Sequence, residues 1–303
     1  MMRRAPHDEG RDRLMYGALL DAVRGLRWRA RRVSRIAVPG IHPSRVRGTS
    51  AEFTEYRAYR QGDDLRRIDW KLFARSDRAH VRISEERAVT PTCLVLDASA
   101  SMAFPDGPGA KWSLAQQLAV ALASVAHAGG DPVGLMIAGN PRATIPPRTR
   151  RGIVAEVIQK VADTSAAGSS PLAGALTAAA RTASRIAIVS DFLGDLDDVS
   201  KIARELIAAG RDVHAVHVIA AEELDPPRAV LLVTDPESSD VRRYMADSVR
   251  DEYLRSYAEW REATGARWLA SGAAYRTVVV GKEPVSHSVR RVVRDEPSAS
   301  RAG

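Results

Sequence analysis

Hydrophobic and polar positions follow three rhythms along the chain. Between residues 14 and 35, Leu19, Leu20, Val23 and Leu26 fall on one helical face while Arg24, Arg27, Arg29, Arg31, Arg32 and Arg35 crowd its continuation. The spacing predicts an amphipathic helix inside an exposed, Arg-rich arm, residues 1–40, closed by Pro39-Gly40. Residues 41–90 have a shorter beat. Positions 52–60 alternate with Phe53, Glu55, Arg57 and Tyr59 on one side, and residues 61–64 form a turn. Leu65, Ile68, Leu72 and Phe73 recur at helical spacing over 64–76, and 80–87 alternate again. This predicts a strand-helix-strand unit packed on the sheet through its dense paired charges.

From residue 91 short apolar runs take over, at 92–96, 132–138, 185–190, 213–219 and 275–280. Helical patterns at 112–128, 152–162, 172–183 and 199–209 separate them, and a proline-bearing edge strand is expected at 143–147. Strands alternating with helices need crossover connections, so residues 91–285 read as an α/β domain with a mainly parallel sheet flanked by helices. A weaker strand is expected at 229–233 and a long helix at 245–264, with Val249, Tyr253, Tyr257 and Trp260 on one side. Residues 286–303 read as a polar, frayed tail.

Charge changes this picture in one place. The net charge of +8 over 303 residues looks like a nucleic-acid signal, yet residues 1–50 hold twelve arginines against four acids and account for all of it. The other residues balance, 33 basic against 33 acidic. The arm offers only Tyr16 and Trp28 for stacking on bases, so no specific nucleic acid is expected. Docking to a partner, or peripheral contact with an anionic membrane surface, suits it better. One cysteine, Cys93, excludes a disulfide scaffold and a cysteine-based zinc site. No apolar run approaches a membrane span and no signal-peptide pattern opens the chain, so the expected location is cytoplasmic.

Catalytic signatures are missing. The chain has no phosphate loop, no dinucleotide fingerprint, and none of the HExxH, GxSxG or SxxK patterns. His214 and His217 sit on a strand and read as packed rather than ligating. Directly after the first buried strand, however, comes Asp97-Ala98-Ser99-Ala100-Ser101. Ligands of open parallel sheets bind beyond the carboxyl ends of the strands. A carboxylate followed by hydroxyls at alternate positions can turn three oxygens to one point there, and hard oxygen donors suit Mg2+. Ser169 or Ser170 at a helix start and Asp191 at the end of another strand are candidates for further oxygens.

The order of these groups resembles the metal-ion-dependent adhesion site of von Willebrand factor A domains. Upstream, Gly48, Glu52, Phe53, Glu55, Arg57, Tyr59, Gly62, Asp63, Asp64, Arg66, Ile68, Asp69, Trp70, Ala74 and Arg75 carry a pattern that resembles the signature of the domain-of-unknown-function 58 family. The resemblance implies a von Willebrand factor A-like fold in which Ser99, Ser101 and a loop hydroxyl bind Mg2+ or Mn2+. Asp97 and Asp191 then act through water or hydrogen bonds. The loop hydroxyl is assigned to Ser170, with Ser169 as fallback. Asp191 is followed by Phe192 where many such domains have glycine.

The same resemblance implies a non-enzymatic interaction module. It would assist a MoxR-type AAA+ ATPase in assembling or maturing other proteins and capture a client through a carboxylate. The alternative is a metal-dependent hydrolase or phosphotransferase using Asp63, Asp64 and Asp69 with Asp97.

Overall fold

The computed structural model describes residues 16–31, 55–61, 63, 65, 68–83, 89–105, 107, 110–194, 196–227, 232–234, 242–244 and 247–295. Its elements begin with α1 (16–22), β1 (Glu55–Ala58), α2 (Trp70–Ser76), β2 (His80–Ile83), β3 (Thr92–Leu96) and α3 (Lys111–Ala128). There follow β4 (Val133–Ile137), β5 (Asn140–Arg148), α4 (Ile153–Ala162), α5 (Leu172–Ala179), β6 (Arg185–Ser190), α6 (Leu196–Ala208) and β7 (Asp212–Ile219). The chain closes with α7 (Ala221–Leu224), β8 (Leu232–Thr234), β9 (Arg242–Tyr244), α8 (Asp247–Ser271), β10 (Ala274–Val279) and α9 (Val285–Arg294). Contacts divide it into two compact units, residues 41–89 and the remainder.

In the smaller unit β1 and β2 pair antiparallel, with Glu55 opposite Ile83. The sequence pattern places a helix from residue 64, but α2 begins only at Trp70. Ile68 bridges to Val81, and Asp69 caps the helix by accepting from the Lys71 and Leu72 N–H groups, both at 3.0 Å. An Asx cap fixes a helix start more firmly than the apolar spacing upstream. Arg57 grips Asp63 with both guanidinium nitrogens, at 2.8 and 2.7 Å. That hydrogen bonding holds the Asp63 carboxyl below its usual range. Glu55 and Asp64 have side chains outside the described residues.

The larger unit is built on a six-stranded sheet in the order β10-β7-β6-β3-β4-β5. All neighbours are parallel except β5, which runs antiparallel at the edge. Counted along the chain, that is the doubly wound order 3-2-1-4-5-6. The sheet is covered on both faces, so β3 is buried throughout, as its continuous apolar run predicts. Leu94 and Leu96 join a core with α3, α4 and α9, while Cys93 and Val95 join another with α5, α6 and Trp268 of α8. β8 and β9 form a separate antiparallel pair. No helix of the described residues is long and apolar enough to cross a membrane.

Two expectations are corrected. The arm is not exposed where it is described: Tyr16, Val23 and Trp28 are buried in the core that holds α3. Helix α1 ends at 22 and the chain continues extended to residue 31. There Trp28 lies over the Arg185 guanidinium, 4.7 Å from its ring centroid, and the Trp28 carbonyl accepts from Arg185 Nη2 at 3.0 Å. Arg185, fully buried at the start of β6, also donates to Asp131 (3.0 Å) and Thr92 (3.2 Å), and its Nε faces Asp212 at 3.6 Å. Arg31 closes the cluster, its N–H on Asp212 and its side chain paired with Asp295 at 2.7 Å. The apolar face read as available to a partner or a membrane is spent inside the fold.

The expected tail begins with helix α9, not a frayed segment. Val289, Val292 and Val293 of α9 are buried against the α3 side of the sheet. Residues 296–303 lie outside the described residues, as do 1–15 and 32–54.

Candidate functional site

At β3 the sheet order reverses: β4 and then β5 lie on one side, β6 and then β7 on the other. Crossovers therefore leave in opposite directions, and open α/β sheets bind ligands beyond the carboxyl ends of strands at such a point, here β3 and β6. Asp97 stands there, its N–H still donating to the Val189 carbonyl of β6 at 3.0 Å. Its Oδ1 accepts from the Ser99 N–H (2.9 Å) and its Oδ2 from Ser190 Oγ (2.5 Å). Burial, and then the neighbouring Asp191 charge, push its carboxyl above the usual range. Ser99 caps the 3-10 turn Ala100–Ala103, and Ser99 Oγ lies 3.0 Å from Ser101 Oγ.

A second loop is laced to this one. The Ala167 N–H donates to the Ala98 carbonyl and the Ala100 N–H to the Gly168 carbonyl, each at 2.8 Å. This brings in Ser170, whose Oγ accepts from the Ala98 N–H at 3.4 Å, whereas the Ser169 side chain is exposed. Gly139 supports the loop from below. It has φ +79°, and a Cβ there would stand 3.1 Å from the Ser169 carbonyl, so both conformation and space favour glycine.

Asp191 completes the rim, but it is not free. Its Oδ2 accepts from Lys111 Nζ at 2.7 Å, and the same ammonium donates to Glu223 Oε1 at 2.5 Å. All three side chains are buried. Glu223 is held in turn by the Ala220 N–H (2.8 Å) and the Tyr257 hydroxyl (3.2 Å). Tyr257 stacks between Tyr253 and Trp260, the face of α8 expected from its spacing. His217 packs against Phe192 and Trp260, and its Nδ1 lies 2.6 Å from the Tyr275 hydroxyl. Burial brings His217 down to about 3, so it is neutral and structural.

Phe192 adopts φ +54°. The position after Asp191 thus requires the left-handed conformation that glycine supplies freely. A phenylalanine tolerates it here because its ring is buried against Trp268, 4.9 Å between centroids.

With this geometry in place, comparison with known proteins is informative. The model of the family described as "Protein of unknown function DUF58" matches residues 55–263. The chain belongs to that family. Uncharacterised proteins of Mycobacterium tuberculosis and Mycobacterium bovis are 30% identical to this DUF58 protein over 262 residues, 84% of this chain and 82% of theirs. Among solved structures, BatB from Bacteroides thetaiotaomicron is similar at 14% identity and a TM-score of 0.43, covering 67% of this chain and 95% of that one. The VWA domain of SpRpn10 follows at 10% identity and 0.38, covering 66% and 94%. Strand order, rather than these distant likenesses, defines the fold of the DUF58 protein as a doubly wound α/β sheet with an antiparallel edge strand.

The donor set fits a divalent ion on one side only. Oxygens bound at right angles to an octahedral Mg2+ stand about 2.8–3.0 Å apart, which is the spacing of Ser99 Oγ and Ser101 Oγ. Asp97 and Ser170 are gathered beside them. Asp191, expected to share in the ion, is committed to Lys111. Among the described residues no three His, Cys, Asp or Glu side chains cluster as metal ligands, so an ion here relies on hydroxyls.

The aspartates of the hydrolase alternative are engaged locally, Asp63 with Arg57 and Asp69 as the α2 cap, and Asp64 lies outside the described residues. Cys93 is no nucleophile, because burial pushes its thiol up to about 12. Sequence reasoning missed Lys111, Ser190 and Glu223. For Lys111 there was a signal, a cation at the first position of a helix, where the helix dipole disfavours it.

Proposed function

We propose that this DUF58 protein is a non-enzymatic docking module that takes up Mg2+ or Mn2+ through Ser99, Ser101 and Ser170, with Asp97 behind them. When bound, the ion supplies a Lewis-acidic pole for a carboxylate of a protein partner. The observation that carries this reading is the pair of serine hydroxyls at octahedral spacing beside a buried carboxylate, at the switch point of the sheet. Phe104 and Leu193, both large and exposed, stand in the loops that carry Ser101 and Asp191 and give a partner apolar purchase. Family resemblance adds the identity of that partner: a MoxR-type AAA+ ATPase, acting with this protein in assembly or maturation of other proteins.

The test compares thermal melts in EDTA and in Mg2+ for the natural protein and Asp97→Ala, followed by co-purification with the ATPase under both conditions. Mg2+ should raise the natural melting temperature and support capture, and Asp97→Ala should lose both while still folding cooperatively. Coincident melts together with undiminished capture by Asp97→Ala would sink the metal reading.

A further inference from the structure

Lys111 belongs to this rim, and the docking reading does not use it. It occupies the first position of α3, after an Ala110 cap that offers no side-chain hydrogen bond and in a first turn without acids. Local preference would put an acid there. Its side chain is nevertheless 1% exposed, and its ammonium bridges the loop after β6 and helix α7 through Asp191 and Glu223. Its two partners are both buried carboxylates, so one ammonium is shared between two acids, and Asp97 lies close enough to Asp191 to feel its charge.

We propose that Lys111 is a tethered counter-cation that sets how tightly the site holds a divalent ion. By pairing with Asp191 and Glu223 and offsetting part of their charge, it confines an ion to the Asp97 and hydroxyl side and weakens its binding, which leaves a site that loads and empties readily. The inference rests on the metal reading above. It concerns affinity and ligand choice rather than the existence of the site.

The probes are Mg2+ and Mn2+ alone. Lys111→Met uncovers two buried carboxylates, so it should melt lower than the natural protein in EDTA and recover more of that loss in Mg2+ than the natural protein gains. Its Mn2+ affinity by calorimetric titration should tighten roughly tenfold or more, as expected for removing a fixed positive charge near a dication. Lys111→Met with Glu223→Gln removes one charge of each sign. It should fold closer to the natural level, with a smaller gain in affinity, and it decides the matter if the single variant does not fold.

A melt lowered equally in EDTA and Mg2+, with unchanged Mn2+ affinity, would make Lys111 a structural staple and overturn the proposal. If the natural protein ignores metal but Lys111→Met binds it, Lys111 bars the ion instead of tuning it, and both the docking reading and the proposal fall. If none of the three proteins responds, both fall.

Discussion

The two ends of the parallel sheet each enclose a fully buried cation, and they use it differently. At the amino ends of the strands, Arg185 is met by Asp131, Thr92, the Trp28 carbonyl and Asp212, and His214 Nε2 lies 3.2 Å from the same Asp212. Residues 28–31 close over this cluster, and its charges are matched. At the carboxyl ends Lys111 is outnumbered by carboxylates, and two serine hydroxyls are bonded to each other beside an exposed apolar rim. A buried ion pair is weak evidence for net stability, but breaking it from one side is strongly destabilising. The amino end is therefore a staple. At the carboxyl end one ammonium is shared between two carboxylates.

The sharpest way to break this contrast is Arg185→Met. It leaves Asp131 and Asp212 buried without their guanidinium and should lower unfolding stability by about 3–5 kcal/mol in urea titrations. Any Mg2+-dependent shift in melting should survive, because Arg185 and Ser190 are the two ends of β6, roughly 17 Å apart at strand rise. A lost metal response would show that the two ends act as one unit.

Acid separates the ends more gently. Burial keeps folded His217 neutral down to about 3, whereas an unfolded histidine takes its proton near 6.5. Below that point the unfolded chain binds the extra proton, so stability should fall by about 1.4 kcal/mol per pH unit as pH drops toward 3. Asp97 works the other way, since its raised carboxyl favours proton uptake by the folded chain. At the amino end burial raises Asp212, but His214, Arg185 and the Arg31 N–H together bring it below its ordinary range. Its contribution is complete above the unfolded carboxylate value and is lost only as pH falls through the lower folded one. His217→Gln should flatten the limb between 6.5 and 3 and leave the more acidic one unchanged. Chemical denaturation across pH, natural against variant, reads both limbs.

What could be read from sequence divides along the same line. The strands and the Asp97-to-Ser101 motif were legible because their signals are local: five apolar residues in a strand covered on both faces, then oxygens at alternate positions. The burial of the arm was not, because Trp28 finds its cation at Arg185, far along the chain, and its arginine-rich surroundings read as solvated. Helix α9 did carry a legible pattern, Val285, Val289 and Val292 at helical spacing, but the arginines among them outweighed it. Lys111 shows the limit most clearly. Its partners lie on the loop after β6 and on helix α7, and nothing near residue 111 names them.

The smallest test concerns the loop hydroxyl. Ser170 Oγ reaches the Ala98 N–H at a long 3.4 Å, so its rotamer is weakly held. Threonine keeps the oxygen and restricts χ1, and Ser170 is half-buried. Ser170→Thr should therefore change stability by less than about 0.5 kcal/mol, as surface substitutions usually do. If its oxygen faces an ion, ordering that oxygen beforehand should tighten Mn2+ binding a few-fold. Ser169→Thr, on a side chain turned to solvent, should leave Mn2+ binding unchanged. An equal response from both would mean that the second loop contributes no ligand and that the ion depends on Asp97, Ser99 and Ser101 alone.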